Sequence, residues 1–430
     1  SAAPCYVGSV KADIGHAGAA SGLASLVKTV LCLDRQLLPP LRNVSQLRYE
    51  WIRGKRKFTL PTAAQYWLHN RAAGPRRALV ASLGMDGSCS HALLEGYVDS
   101  VGRASAQVPD RPLGLLSEGL FAVSGDTSSD IVALLQRLKV FVEENSGQHI
   151  ELMAADWSAA EPNAAGKLCL SMVAGSAKEL LEQIDYAVSA LRSEPHQPLG
   201  GNGQIGLPAV VRDRIFYNPE PLAPRGKLAF VFPGSGNHFA GMGRDLSAHW
   251  PKIFARQDRF NRFLADQYQP EHFWKSTLSE DLYEDHNALV ISHVALCTAL
   301  NDLVRSFGIA PQIVSGYSLG ESSGLFSSGA WTDRDGMLQR LAASSLFTAD
   351  LAGECRAARK LWGLPKSEPV DWVLGIVDAT ADQVRQQLVG KKRAYLLIVN
   401  TYRESVVGGN RTQIEELVRE LGCVFIPLRG

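Results

Sequence analysis

The stretch that decides the fold is PQIVSGYSLGESSGLFSSGAW, residues 311–331. An apolar strand is predicted over 313–315, and a helix rich in small residues follows. Between them Ser318 stands in the pattern G-x-S-x-G, which is typical of a nucleophile raised on a sharp turn from strand to helix. The flanking glycines tolerate a strained backbone and leave room for a substrate. Because the amide of Leu319 directly follows the serine at a helix N-terminus, it is the expected first donor of an oxyanion hole.

Two interpretations of Ser318 stay open on the pattern alone. Glycine, serine and glycine at this spacing arise by chance in about one glycine-rich chain of this length in four. The second interpretation is a purely structural turn, which would have the same sequence pattern. The apolar strand directly before the turn and the helix directly after it favour the nucleophile.

A second glycine loop follows a second apolar strand. Residues 228–232 run into PGSGNHFAGMG, residues 233–243. Such a loop could hold a nucleotide phosphate, yet it contains neither G-x-G-x-x-G nor G-x-x-x-x-G-K-[ST]. The backbone N–H of Ser235, directed at the same oxyanion as Leu319, is the favoured interpretation. Strands that end in tight turns before helices predict a largely parallel sheet for residues 226–360.

Residues 361–430 predict a separate small unit. Thr380 with Gln383, and Asn410 with Gln413, have capping-box spacing and open two helices. Strands are predicted over 372–377, 395–399, 404–408 and 423–428. The resulting order, β-α-β-β-α-β, is the ferredoxin-like split βαβ arrangement.

Residues 1–98 begin with a short strand signal over 5–10 and a glycine-containing loop. A helix follows, for which we expect one buried apolar face built by Leu23, Leu26, Val27, Val30 and Leu31. The glycines at 15, 18 and 22 would allow a close backbone approach at the helix start. Residues 76–97 then predict a strand, a glycine turn and another strand.

Residues 99–225 predict a small α/β linker domain. Residues 99–112 are polar with two prolines and are expected to connect two domains. Two strand–turn–helix units follow over 113–225, the second with Ser176 and Glu179 spaced as a capping box. No polar constellation occurs there, so we expect a structural role.

Composition excludes little and suggests an ordinary globular chain. Among 430 residues the net charge is +1, which gives no reason to expect nucleic-acid or membrane partners. Seven scattered cysteines without a C-x-x-C pair argue against a disulfide framework and a zinc site, so no metal is expected. A reducing cytoplasm is the expected location.

The two glycine loops together resemble a known family. FVFPGSGNHFAGMGRDL, followed by IVSGYSLGESSGLFSSGAW, is similar to the acyltransferase domain of type I polyketide and fatty acid synthases, which usually has FPGQGSQ and GHSLGE. The resemblance implies that Ser318 is the acylated serine and that Leu319 and Ser235 supply the oxyanion-hole amides. It also matches the ferredoxin-like region to the family's small subdomain. The substrate-binding positions that we select on this basis are Gly234, Tyr317, His238 and Arg340.

The N-terminal region resembles the domain that precedes an acyltransferase in these megasynthases. VGSVKADIGHAGAASGLASLVK is similar to the ketosynthase motif around its lysine and second catalytic histidine, which implies a match for Lys11 and His16. GMDGSCSH is similar to GFGGTNAH of the same domain. The implied fold class is α/β. An α/β-hydrolase-like acyltransferase core carries a ferredoxin-like small subdomain and is preceded by the α/β linker and a ketosynthase C-terminal fragment. A bacterial iterative subclass, of the enediyne or polyunsaturated-fatty-acid kind, is the expected relative.

Several departures from the family shape the functional expectations. The reactive cysteine of a ketosynthase would lie upstream of Ser1, so the rest of that domain is an expected partner and His16 is expected to be structural. A serine hydroxyl needs a base, and the family's histidine would fall beyond Gly430. His238 and His293 are more readily explained by packing. The carboxylate-binding arginine of malonyl-selective members falls at Ala343, with Arg340 one turn earlier.

The expected activity is ping-pong acyl transfer. Ser318 would take an acyl group, malonyl first among the candidates, from coenzyme A and pass it to the phosphopantetheine thiol of an acyl carrier protein. The chain would need no bound cofactor of its own, because the phosphopantetheine belongs to the partner. A serine thioesterase or other hydrolase, and a non-catalytic structural fragment of a megasynthase, are the alternatives.

Overall fold

The chain folds as α/β structure in which small sheets are combined with helices. In the computed structural model the described residues are 5–44, 58–84, 86–97, 112–161, 166–200, 211–222, 226–275, 277–279, 282 and 285–428. Within them, one four-stranded, one three-stranded and four two-stranded sheets are present. The predicted connection over 99–112 lies outside the described residues except at its last position.

The N-terminal segment contains a hairpin next to a long helix. Its elements are β1 (Cys5–Tyr6), α1 (Lys11–Ile14), α2 (Ala20–Arg35), β2 (Leu37–Leu38), β3 (Phe58–Thr59), β4 (Gln65–Tyr66), a 3-10 turn (Arg71–Ala73), β5 (Arg77–Leu83) and β6 (Cys89–Glu95). Strands β5 and β6 pair antiparallel from Arg77–Glu95 to Leu83–Cys89, which confirms the predicted strand–turn–strand. The first strand is much shorter than the predicted one.

The apolar face of α2 is not buried as the periodicity predicts. Leu23, Val27, Val30 and Leu31 are between 48% and 64% exposed, and only Leu26 is half-buried. The physical reason is that no described element covers this face. The side of α2 that carries Gly22 approaches β5, where a Cβ on Gly22 would lie 2.8 Å from Ser82 Oγ. The predicted close approach therefore occurs at Gly22, while the predicted burial does not occur.

The linker region forms a three-stranded antiparallel sheet in the order β7-β8-β9. Its elements are β7 (Gly119–Gly125), α3 (Ser128–Glu144), α4 (Ile150–Ala160), β8 (Leu168–Ala174), α5 (Ala177–Ser193) and β9 (Ile215–Tyr217). Fully buried Phe121, Leu135 and Ile184 belong to one core. The two predicted strand–turn–helix units are present, and α4 and β9 are additional.

The next region combines a series of helices with one pair of parallel strands. Its elements are β10 (Ala229–Phe232), α6 (Arg244–His249), α7 (Pro251–Phe260), α8 (Leu264–Tyr268), α9 (Pro270–Phe273), α10 (His286–Ser306), β11 (Ile313–Gly316), α11 (Leu319–Ser328), α12 (Arg334–Ala343), a π-helix (Leu346–Asp350) and α13 (Arg356–Trp362). Strands β10 and β11 run parallel, as expected. Tyr66 and Leu68 of the N-terminal segment belong to the same buried core as Phe254 and Phe273. That shared core joins two regions that are far apart in sequence.

One helix of this region, α10, has the length and hydropathy of a membrane span. Of its most apolar window, 56% is buried within the fold, and the helix packs against α7, α8 and α11. It is therefore a core helix in this structure.

The C-terminal unit is an antiparallel sheet with two helices. Its elements are β12 (Trp372–Val377), α14 (Ala381–Gln387), β13 (Ala394–Thr401), β14 (Glu404–Asn410), α15 (Arg411–Leu421) and β15 (Phe425–Pro427). The strand order β13-β14-β12-β15 confirms the predicted split βαβ arrangement. Thr380 and Gln383 form the predicted capping box, and Asn410 caps α15. The domain boundaries at 98 and 225 fall outside the described residues and the one at 360 falls within α13, so the division stays a prediction.

Candidate active site

Ser318 occupies a strained turn between β11 and α11. Its backbone has φ 53° and ψ −119°, a conformation that residues with a Cβ rarely adopt, and its side chain is exposed. A Cβ on Gly316 would lie 2.1 Å from the Gly320 carbonyl carbon, and a Cβ on Gly320 would lie 2.1 Å from the Phe232 carbonyl oxygen. Both glycines are therefore required for the turn to close against β10.

The second glycine loop lies directly against this turn. Phe232 is paired with Gly316 in the parallel register, and the Tyr317 N–H donates to the Phe232 carbonyl at 3.0 Å. Gly234 is buried, and a Cβ there would lie 2.8 Å from Tyr317 Cδ1 and 3.1 Å from the Tyr317 carbonyl oxygen. Only glycine allows this contact, which brings the loop carrying Ser235 next to the nucleophile turn.

The two expected oxyanion donors are available. Within the described residues, neither the Leu319 N–H nor the Ser235 N–H donates to a protein acceptor. The Leu319 amide opens α11, where the helix dipole favours negative charge. Ser235 is exposed on its loop. Two unpaired amides on touching loops can hold an anion that forms beside Ser318.

Two histidines lie beneath the second loop rather than at the serine. His238 Nε2 donates to the Leu289 carbonyl at 3.0 Å, and His293 Nε2 donates to the Pro233 carbonyl at 2.9 Å. Burial lowers the pKa of both rings from the ordinary value of 6.5. These contacts agree with the packing role that the sequence favours for both histidines. The base expected beyond Gly430 lies outside the described residues.

Arg340 and Ala343 are both exposed in the last turn of α12. The buried arginine of this helix is Arg334, whose guanidinium donates to Gln257 Oε1 at 3.0 Å, and its hydrogen-bond acceptors among the described residues are all neutral. Burial lowers its pKa. Sequence analysis did not single it out, because its partners come from separate helices. Neither Arg340 nor Ala343 provides a built carboxylate site in this structure.

The ketosynthase-like residues lie in the N-terminal segment. Lys11 begins α1, and His16 is exposed, with Nδ1 accepting the Gly18 N–H at 3.1 Å. That local hydrogen bond suits the structural role expected of His16. Within the described part of the chain, no group of three or more histidine, cysteine, aspartate or glutamate side chains is placed to hold a metal ion.

Sequence analysis missed Asn400, which contacts the site from the small subdomain, and Glu404, which contacts Asn400. Tyr317 Oη donates to Asn400 Oδ1 at 2.9 Å, and Asn400 Nδ2 donates to Glu404 Oε1 at 2.7 Å. The only available signal was a polar residue within the otherwise apolar run that forms β13. Its partner could be identified only from the packing of the two subdomains.

Comparisons with known families agree with this geometry. Residues 1–45 match the family described as "Beta-ketoacyl synthase, C-terminal domain", and residues 229–423 match "Acyl transferase domain". The second match contains both glycine loops and most of the small subdomain. The two domains occur in the order that the motifs predict.

Relatives with similar sequences are polyketide synthases. The chain is 27% identical over 96% of its length to the highly reducing polyketide synthase AFT9-1 of Alternaria alternata. It is 26% identical over 99% of its length to the polyketide synthase GfsA of Streptomyces halstedii. It spans only 12% and 5% of those two proteins.

Among solved structures, the acyl transferase domain of ZmaA is similar in fold. It has a TM-score of 0.53 and 16% sequence identity, over 73% of this chain and 65% of that one. This likeness supports the α/β acyltransferase fold. The expected iterative subclass stays a prediction.

Proposed function

Because the chain belongs to the polyketide synthase family and contains its acyltransferase domain with a C-terminal part of a ketosynthase, we propose that Ser318 is acylated by an acyl-CoA thioester. The observation that carries the proposal is the conformation of Ser318. Its hydroxyl is exposed at φ 53° and ψ −119°, on a turn that touches the loop carrying an unpaired second amide. A backbone of this kind persists only where the surrounding structure enforces it.

The proposed reaction has two balanced halves. Ser318 Oγ forms a bond to the thioester carbonyl carbon while a base removes its proton. The Leu319 and Ser235 amides bind the oxyanion of the tetrahedral intermediate. The carbon–sulfur bond then breaks, the proton passes to the sulfur, and coenzyme A leaves. In the second half, the base takes the proton of the phosphopantetheine thiol of an acyl carrier protein, and the sulfur forms a bond to the acyl carbon. The bond between that carbon and Ser318 Oγ then breaks, and the proton passes to Oγ and restores the hydroxyl.

The base and the acyl group are parts of the same proposal. His238 and His293 already donate to backbone carbonyls, so we place the base on a histidine that follows the small subdomain. Malonyl is the first acyl group to test because of the family resemblance. The exposed positions of Arg340 and Ala343 give a malonyl carboxylate no evident partner, so uncharged acyl groups belong in the same panel.

Intact-mass spectrometry tests this function directly. The protein is incubated with malonyl-CoA, acetyl-CoA and longer acyl-CoA thioesters, with and without a phosphopantetheinylated carrier protein. We expect an acyl adduct that is absent in Ser318→Ala, and transfer of that adduct to the carrier. Release of free acid without acylation of the carrier would instead identify a hydrolase. Absence of any adduct in a longer chain that includes the proposed histidine would contradict the proposal.

A further inference from the structure

Away from the connecting residues 356–371, and among the described residues, one hydrogen bond joins the nucleophile-bearing subdomain to the small subdomain. Within the described residues, the 2.9 Å bond from Tyr317 Oη to Asn400 Oδ1 is the only hydrogen bond or ion pair that connects residues 226–355 with residues 372–428. Tyr317 immediately precedes the nucleophile, and Asn400 lies near the end of β13. The connection therefore reaches from the turn itself to the β13–β14 hairpin.

The direction of this bond is set by Glu404. A carboxylate only accepts hydrogen bonds, so the NH2 group of Asn400 must face Glu404 Oε1, at 2.7 Å. The amide oxygen of Asn400 is thereby presented to Tyr317, whose hydroxyl must donate. The β13–β14 register shifts between Val399 and Thr401, and Asn400 has no paired residue there. A bulge of this kind re-aims a side chain away from the regular ladder.

The ring of Tyr317 is also held from the other side. Gly234 packs so closely against it that even one added methyl carbon would lie 2.8 Å from the ring. The tyrosine therefore contacts the oxyanion loop through its ring and the small subdomain through its hydroxyl. A displacement of the β13–β14 hairpin is therefore coupled, through Tyr317, to the positions of the nucleophile turn and the oxyanion loop.

We propose that Tyr317 is a positioning residue. Through Asn400, held in orientation by Glu404, it fixes the β13–β14 hairpin at the nucleophile turn and sets the opening of the cleft that receives the acyl group. This inference rests on the proposed acylation of Ser318 for its functional consequence, while the coupling itself does not. Because effective acylation needs the reacting atoms held within fractions of an ångström, a looser hairpin lowers the acylation rate without touching Ser318.

The coupling is tested by hydrogen–deuterium exchange, which needs no activity. In the full chain, Tyr317→Phe removes only the hydroxyl, and we expect residues 394–410 to exchange about two- to tenfold faster. The matched control is Tyr402→Phe, since Tyr402 is 86% exposed in the turn of the same hairpin. Glu404→Leu should accelerate exchange as Tyr317→Phe does. Glu404→Gln keeps an acceptor for Asn400 and should accelerate exchange less. Unchanged exchange in Tyr317→Phe would overturn the proposal.

The functional consequence is tested on the acyl adduct. Where wild type is acylated, Tyr317→Phe should lower the acylation rate constant about two- to tenfold. The double variant with Asn400→Leu should be acylated no more slowly than Asn400→Leu alone, because Asn400→Leu already removes the bond to Tyr317. Equal rates in wild type and Tyr317→Phe would overturn the positioning role. Absence of acylation in a wild-type chain that includes the proposed histidine would count against the proposed function, and the exchange experiment would then decide the coupling alone.

Discussion

His293 Nε2 donates a hydrogen bond to the Pro233 carbonyl at 2.9 Å, and this bond anchors the loop immediately before Gly234 and Ser235. The neighbouring His238 ring lies 5.8 Å away, centroid to centroid. Burial lowers the pKa of His293, and the charge of His238 lowers it further. Two histidines whose protonation the fold disfavours therefore support the oxyanion loop.

The first prediction concerns pH. The pKa values of both rings are lower in the fold than their ordinary value of 6.5, so the unfolded chain binds protons first as the pH falls. The stability that the neutral rings contribute should accordingly be fully present above about pH 6.5. The free energy of unfolding should decrease as the pH falls below that value. Urea denaturation between pH 7.5 and 5.5 measures this slope.

A variant identifies the histidine responsible. His293→Gln retains an N–H that can donate to Pro233 but does not titrate, so its slope should be shallower than that of wild type. Burial also lowers the pKa of His69, which acts in the same direction, so the difference between variant and wild type is the informative quantity. Identical slopes would contradict the role of His293.

The second prediction concerns strain at Ser318. Ser318→Gly should stabilise the fold relative to Ser318→Ala by about 1 kcal/mol, because glycine adopts φ 53° freely whereas alanine keeps the Cβ that makes it costly. Both variants lack the hydroxyl and should form no acyl adduct. Chemical denaturation compares their stabilities, and an alanine variant more stable than the glycine variant would show that the turn is not strained.

The third prediction concerns the contact that closes the turn. Gly320→Ala should destabilise the fold by at least about 3 kcal/mol, because its Cβ would lie 2.1 Å from the Phe232 carbonyl oxygen, a backbone atom that cannot move aside. Gly147→Ala is the matched control, since a Cβ there has no atom within 4 Å. It should change the stability by less than about 0.5 kcal/mol. Similar stabilities of the two variants would refute the close packing of the turn.

Local signals predicted local structure well. The nucleophile turn follows from Gly316, Ser318 and Gly320 between a strand and a helix, and the split βαβ unit follows from capping pairs and short apolar runs. The exposed face of α2 was mispredicted because periodicity shows which residues share a face but not whether another element covers it. Asn400 was missed because its contact with Tyr317 depends on how two subdomains meet, which no short sequence pattern records.

The last prediction concerns the attachment of the N-terminal segment to the acyltransferase core. Arg76 Nη2 lies 3.1 Å from Asp258 Oδ2, and their side chains are only 4% and 6% exposed. Tyr66, fully buried next to them, accepts a hydrogen bond from Arg76. Asp258→Ala would leave the Arg76 charge buried without compensation, so we expect a loss of about 3–5 kcal/mol in chemical denaturation.

A double replacement separates the ion pair from general packing. Arg76→Met combined with Asp258→Leu removes both buried charges and should recover most of the stability lost in Asp258→Ala, because two apolar side chains can fill the same space. Arg71, which lies 3.7 Å from Asp258 Oδ1, is partly exposed and keeps its hydrogen bonds to the Asp258 and Arg259 backbone carbonyls. The exposed pair Arg77–Glu95, each 54% exposed at 2.7 Å, provides the control. Glu95→Ala should cost less than about 1 kcal/mol. If Asp258→Ala costs no more than Glu95→Ala, the N-terminal segment does not depend on this buried pair for its place in the core.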